Sequence, residues 1–251
     1  MDPRTERHAE ILVKWSAEVR PGDMVIVRAS PESHTLAIAV AKHVSLAGGK
    51  VLTLFESEEI QRATLENSSP ETLEVFPKHV AEMYKAADVI INLSAPMNTR
   101  TLTSVDPKRL IAVSRVQRPI QDTVLSKRWV LTVHPCRALA QQANMSLEEY
   151  EDFVYGATLI DWAAESKNLY LVKEHLERHS DVRFVGPETD LYARTDGRVW
   201  IASDGKKNMP SGEVFTAPIE DTVEGTVYFD IPFVYQGRVI EGVRLRFEKG
   251  E

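Results

Sequence analysis

Four short runs of β-branched and aliphatic residues, "MVIVRA" at 24–29, "KVLTLFE" at 50–56, "DVIINLSA" at 88–95 and "RWVLTVHP" at 128–135, are separated by longer stretches of helical periodicity. Runs that stay apolar on consecutive positions, rather than alternate ones, suit strands buried on both faces. Strands that alternate with helices need right-handed crossovers, and the outcome is a mostly parallel sheet with helices on each side. The chain therefore reads as α/β, of the doubly wound class.

The intervening segments carry helix signals of their own. His8, Ile11, Leu12, Trp15 and Val19 recur at helical spacing over 6–19, and Pro21 and Gly22 then stop the helix. "PESHTLAIAVAKHVSLAGG" at 31–49 predicts a second helix capped by Gly48 and Gly49. "SEEIQRATLENS" at 57–68 and "PETLEVFPKHVAEMYKAA" at 70–87 predict further helices. "MSLEEYEDFVYGATLIDW" at 145–162 opens on a capping box in which Ser146 and Glu149 satisfy each other's backbone, and helix resumes through "AAESKNLYLVKEHLERHS" at 163–180.

Past Ser180 the pattern changes. Helical periodicity disappears, and β-rich runs are punctuated by Asp196-Gly197, Glu224-Gly225 and Gln236-Gly237 turns. "ETDLYARTDGRVWIA" at 188–202 predicts a hairpin across Asp196-Gly197. The expected organisation is an α/β domain over 1–183, then the start of a β-rich second domain over 184–251, with the boundary falling in 180–190.

Charge and cysteine usage exclude several classes of function. A net charge of −7 disfavours nucleic acid and anionic membranes as partners, and the nearest basic cluster, Lys108, Arg109, Arg115 and Arg118, reads as a solvated helix face. One cysteine, Cys136, leaves no internal disulfide framework and suits a reducing compartment. With no signal-like N-terminus and no apolar run approaching the ~18 residues of a membrane span, a soluble cytoplasmic protein is expected.

Few residues announce chemistry. The first strand-to-helix turn, "VRASPESHT", lacks the glycines that let a backbone approach a pyrophosphate, so no nucleotide cofactor is expected. His175 and His179 share a helical face in "HLERH", but the order is not H-E-x-x-H, and basic residues near a helix C-terminus also answer the macrodipole. His34, His43, His79 and His134 share no spacing, and Cys136 near His134 has no orienting third group. Glu213, in "NMPSGEVFTAP" at 208–218, sits where a loop becomes a strand and can be aimed from a rigid element, although a surface acid at a turn has the same signature. One carboxylate cannot hold a metal alone.

The segments "MSLEEYEDFVYGA", "NMPSGEVFTAP", "EDTVEGTVYFDIP" and "GRVIEGVRLRFEKGE" together resemble, in order, the thermophilic-type metallo-aminopeptidases, the aminopeptidase T family. The resemblance implies a homodimeric enzyme with an α/β domain and a catalytic domain holding two divalent metals, zinc or cobalt. Metal-activated water then releases N-terminal residues from peptides. It assigns Glu213 as a metal ligand and no other residue of this chain, because the family's further glutamate, histidine and aspartate motifs are not found in it. The expectation is a fragment of a longer enzyme, inactive by itself. The competing expectation is a non-enzymatic α/β binding module whose β-rich tail packs on a partner.

Overall fold

The computed structural model describes residues 2–235 and 238–251. They form two compact units: Met1–Ile160 with Gly205–Ser211, and Asp161–Asp204 with Gly212–Glu251. Residues 161–183, which the sequence reading assigns to the first domain, cluster instead with the second unit, as does everything after 184 except 205–211.

In the first unit, strands β1 (Met24–Ala29), β2 (Lys50–Phe55), β3 (Val89–Ser94) and β4 (Arg128–Val133) fall where the apolar runs predict. A fifth strand, β8 (Asn208–Met209), joins from far along the chain, and the order is β2-β1-β3-β4-β8 with all pairs parallel. Sequence reading takes the residues ahead of Glu213, "NMPSG", as the loop that leads into a strand. Two residues are too few to show a strand period, yet Asn208 and Met209 stand in register with Leu131 and Thr132. Met209 is 2% exposed.

Helices cover both faces. α1 (Pro3–Ile11), capped by Asp2, runs on as a π-helix over Leu12–Ser16, so the helix starts earlier and stops earlier than the 6–19 spacing suggests. α1 packs against α2 (His34–Leu46). α3 (Glu58–Asn67) fills the helix predicted over 57–68, and the one predicted over 70–87 is divided at Pro77, where proline removes a backbone donor, into the single-turn α4 (Pro70–Leu73) and α5 (Lys78–Lys85). α6 is Pro107–Ser126; α7 (Arg137–Gln142) precedes α8 (Leu147–Thr158), whose Ser146–Glu149 capping box is formed on both sides at 3.2 and 2.8 Å. Ile26 and Ile90 pack with Tyr84 of α5 and with Ile120 and Val124 of α6, so one sheet face is sealed at its centre.

The second unit begins with α9 (Trp162–Leu176). An antiparallel sheet of order β13-β10-β6-β5 follows, from β5 (Asp181–Gly186), β6 (Thr189–Arg194), β10 (Glu224–Phe229) and β13 (Val243–Phe247). Two-stranded ribbons are made by β7 (Ile201–Ser203) with β9 (Glu213–Phe215), and by β11 (Phe233–Tyr235) with β12 (Arg238–Ile240). The predicted hairpin across Asp196-Gly197 does not form. The turn exists, with Gly197 at φ 68° and the Arg198 amide donating to the Thr195 carbonyl at 3.0 Å. However, β6 is already flanked by β5 and β10, so β7 pairs with β9. The Gln236-Gly237 turn lies outside the described residues.

Register places Val182, Phe184, Leu191, Ala193, Val227, Phe229, Val243, Leu245 and Phe247 on one face of the four-stranded sheet. Arg183, Asp190, Tyr192, Thr226, Arg244 and Arg246 occupy the other. Phe184, Phe229 and Leu245 of the apolar face are exposed within the described residues, at 57%, 48% and 43%.

Candidate metal-ligand strand

Glu213 is the first residue of β9 and stands opposite Ser203 of β7. Gly212 before it adopts φ 125°, a backbone region that favours glycine, and donates its amide to the Ser203 carbonyl at 3.0 Å. The ribbon has anchors on either side. Ser166 of α9 donates to the buried carboxylate of Asp204 at 2.7 Å, the Thr216 hydroxyl donates to the Val199 carbonyl at 2.9 Å, and α9 packs on both β7 and β9. Glu213 itself is exposed, and among the described residues its carboxylate has no hydrogen-bond or ion-pair partner. A free carboxylate on the first residue of a braced strand is suited to act as a donor to a cation.

The other sequence candidates do not join it. The rings of His175 and His179 lie near the end of α9, tilted at 53° with centroids 5.0 Å apart. Cys136 is buried, its thiol donates to the Pro96 carbonyl at 3.3 Å, and burial pushes its pKa up, the opposite of an activated nucleophile. Burial lowers the pKa of His134, whose Nε2 lies 3.4 Å from the Thr35 hydroxyl. Three of the four basic positions on α6 are engaged internally: Arg109 donates to the Leu65 and Ser68 carbonyls at 2.6 and 2.8 Å, and Arg115 and Arg118 contact Glu74 and Asp122, each at 3.1 Å. In the first strand-to-helix turn, Ser30 donates to the Ala95 carbonyl at 2.6 Å and Ser33 to the Ser30 carbonyl at 2.9 Å.

One buried polar chain escapes sequence reading altogether. Thr132 of β4 donates its hydroxyl to the Met209 carbonyl at 2.7 Å, so it accepts from Nε2 of His8, 2.8 Å away. The imidazole is thereby the Nε2–H tautomer, and its Nδ1 is buried without a partner. Burial, reinforced by nearby His134, pushes the His8 pKa down to about 3. Its three members are scattered over two hundred positions of sequence, and no local signal links them.

Among the described residues no three His, Cys, Asp or Glu side chains gather where a metal could sit. Glu213 fits the part of one ligand, but these residues do not complete a metal centre.

Several known proteins share this architecture. The chain is 26% identical to aminopeptidase 2 of Geobacillus stearothermophilus and to aminopeptidase T of Thermus thermophilus, each over 98% of this chain and 68% of the relative. The solved structure of wild-type AmpT from Thermus thermophilus superposes with a TM-score of 0.82 at 22% identity, covering 98% of this chain and 69% of that one. The 2,5-dihydroxypyridine dioxygenase of Pseudomonas putida KT2440 superposes at 0.56 with 18% identity, covering 98% and 65%. At these identities the superpositions establish the fold alone, and the fold hosts unlike chemistries. The family comes from sequence: residues 1–251 match the model of the thermophilic metalloproteases, M29, and the chain belongs to that family.

Proposed function

We propose that the protein is an aminopeptidase that uses divalent metal ions to release N-terminal residues from peptides. The observation that carries the reading is that relatives matched along nearly the whole of this chain are aminopeptidases by name, in a family of metalloproteases. Glu213 is assigned as a metal ligand, supported by its exposed, unpartnered carboxylate at the start of β9. Two ions per subunit, zinc or cobalt, and a homodimer follow from the same family resemblance. A reducing compartment, the cytoplasm, is favoured because a single cysteine can form no internal disulfide. Among the described residues no helix is long and apolar enough to cross a membrane.

The test supplies the gene product with zinc or cobalt. The expected result for the gene product is chelator-sensitive release of amino acids from peptides with free N-termini and none from their N-acetylated forms. Glu213→Gln should abolish that release and lower the bound metal measured by elemental analysis. A gene product that leaves free-N-terminal peptides intact at saturating metal overturns the reading.

A further inference from the structure

A cavity of about 700 Å3 opens in the first unit, lined by the carboxyl ends of β1, β2 and β3. In the order β2-β1-β3-β4-β8 the crossovers change direction at β1 and β3, and such switch points leave a crevice suited to a small ligand. The volume lies within the range of small-molecule sites. It is distinct from the Glu213 strand, which belongs to the second unit.

The cavity carries both signs of charge. On its floor, Arg28 of β1 donates from Nε and Nη2 to Glu56 at 3.0 and 2.7 Å, and from Nη1 to the Asn92 side chain at 3.2 Å. A guanidinium has five N–H donors, so two remain unused among the described residues. Glu58, in the first turn of α3, also lines the cavity, and its Oε2 is buried without any hydrogen-bond partner. A buried carboxylate oxygen with no donor is costly, and a native structure rarely leaves one so unless something else supplies the donor. The walls include Phe55, Ile60, Leu125 and Leu131, each a large apolar side chain at least 43% exposed. Exposed apolar groups gathered around a polar floor mark a ligand site rather than ordinary surface.

We infer that this cavity binds a free α-amino acid with an apolar side chain, its ammonium at Glu58, its carboxylate at the two spare N–H groups of Arg28, and its side chain against Leu125 and Leu131. The unused hydrogen-bonding groups select a zwitterion. Arg28 keeps two N–H donors for one carboxylate and Glu58 an acceptor for one ammonium; a phosphate or other dianion would leave Glu58 without a donor and add to the net negative charge of Arg28, Glu56 and Glu58, while a simple amine would leave the Arg28 donors unfilled. On the function proposed above such a ligand is a released product, but the binding claim rests on the cavity and stands without the peptidase reading.

Calorimetric titration of the 251-residue chain, kept in chelator so that a metal centre cannot contribute, tests this. L-Leucine should bind saturably. L-Leucinamide, which lacks the carboxylate, and N-acetyl-L-leucine, which lacks the ammonium, should each bind about tenfold or more weakly, the scale of one charge-assisted hydrogen bond. Glycine should also bind more weakly, for want of the apolar body. Glu58→Gln should weaken leucine by a similar factor and leave N-acetyl-leucine unchanged, whereas Glu213→Gln should change neither. Absence of saturable leucine binding, or equal affinity for the two derivatives, overturns the inference. So does leucine binding that is lost in Glu213→Gln and retained in Glu58→Gln. If Glu58→Gln does not fold, the ligand series on the unaltered protein decides the question. Failure of the peptidase assay with this pattern intact would break the functional proposal and leave the site standing.

Discussion

The parallel sheet of the first unit and the antiparallel sheet of the second solve the burial of a strand in opposite ways. In the first, Val25, Ile26 and Val27 of β1 are successive residues pointing to alternate faces, yet none is more than 4% exposed, because helices cover both sides. In the second, each strand sorts its residues by face, and the apolar side keeps Phe184 more than half exposed among the described residues. The first sheet thus holds its stability within itself, whereas the second presents an apolar surface. The difference teaches where sequence changes will be felt: on successive residues of the central strands β1 and β3 in the first unit, and on alternate residues at most in the second.

The largest effect is expected in the core of the first sheet. Ile90→Ala, at a fully buried position packed against Ile120 and Tyr84, should cost about 2–5 kcal/mol in urea unfolding. A loss below about 1 kcal/mol would mean that the doubly covered sheet is looser than its burial implies. Next is acid. His8 is neutral in the fold with its pKa near 3, while an unfolded imidazole protonates below about 6.5, so the unfolded state takes up the extra proton in that window. Stability should therefore fall as pH drops from about 6.5 towards 3, by up to about 1.4 kcal/mol per pH unit from this residue. His8→Phe should flatten that slope, and a slope unchanged in the variant would refute the assignment.

Thr132→Val removes the hydroxyl between His8 and the Met209 carbonyl and strands both, at a cost of about 1–3 kcal/mol. The smallest effect belongs to the second sheet. Phe184→Ala, measured on the 251-residue chain, should change stability by less than about 0.5 kcal/mol, the usual range for surface positions. A loss as large as that of Ile90→Ala would show that something covers the apolar face in solution, and the contrast between the two sheets would then disappear.

What could be read from the sequence follows the same divide. Strands β1 to β4 were legible because short β-branched runs such as "VIIN", set between longer helical stretches, have the length and composition of strands buried on both faces. The Ser146 capping box was legible because its chemistry is complete within four residues. The pairing of β7 with β9, and of β8 with β4, was not, because partners of two or three residues carry no register information and are chosen by which edges remain open. Glu213 could be singled out, since a glycine ahead of a strand fixes where that residue begins. The switch-point cavity was invisible, because Arg28, Glu58 and Leu125 meet only once the crossovers have been made.

The late arrival of β8 also bears on synthesis. A ribosome must deliver everything up to Met209 before the parallel sheet can take its last strand, and until then the outer edge of β4 stays open. During that interval the hydroxyl of Thr132 has no carbonyl from Met209 to receive its proton. A nascent chain paused in the two-hundreds is thus a nearly finished domain with one unguarded border, the stage at which pairing with a neighbouring nascent chain is easiest and a holding chaperone is of most use.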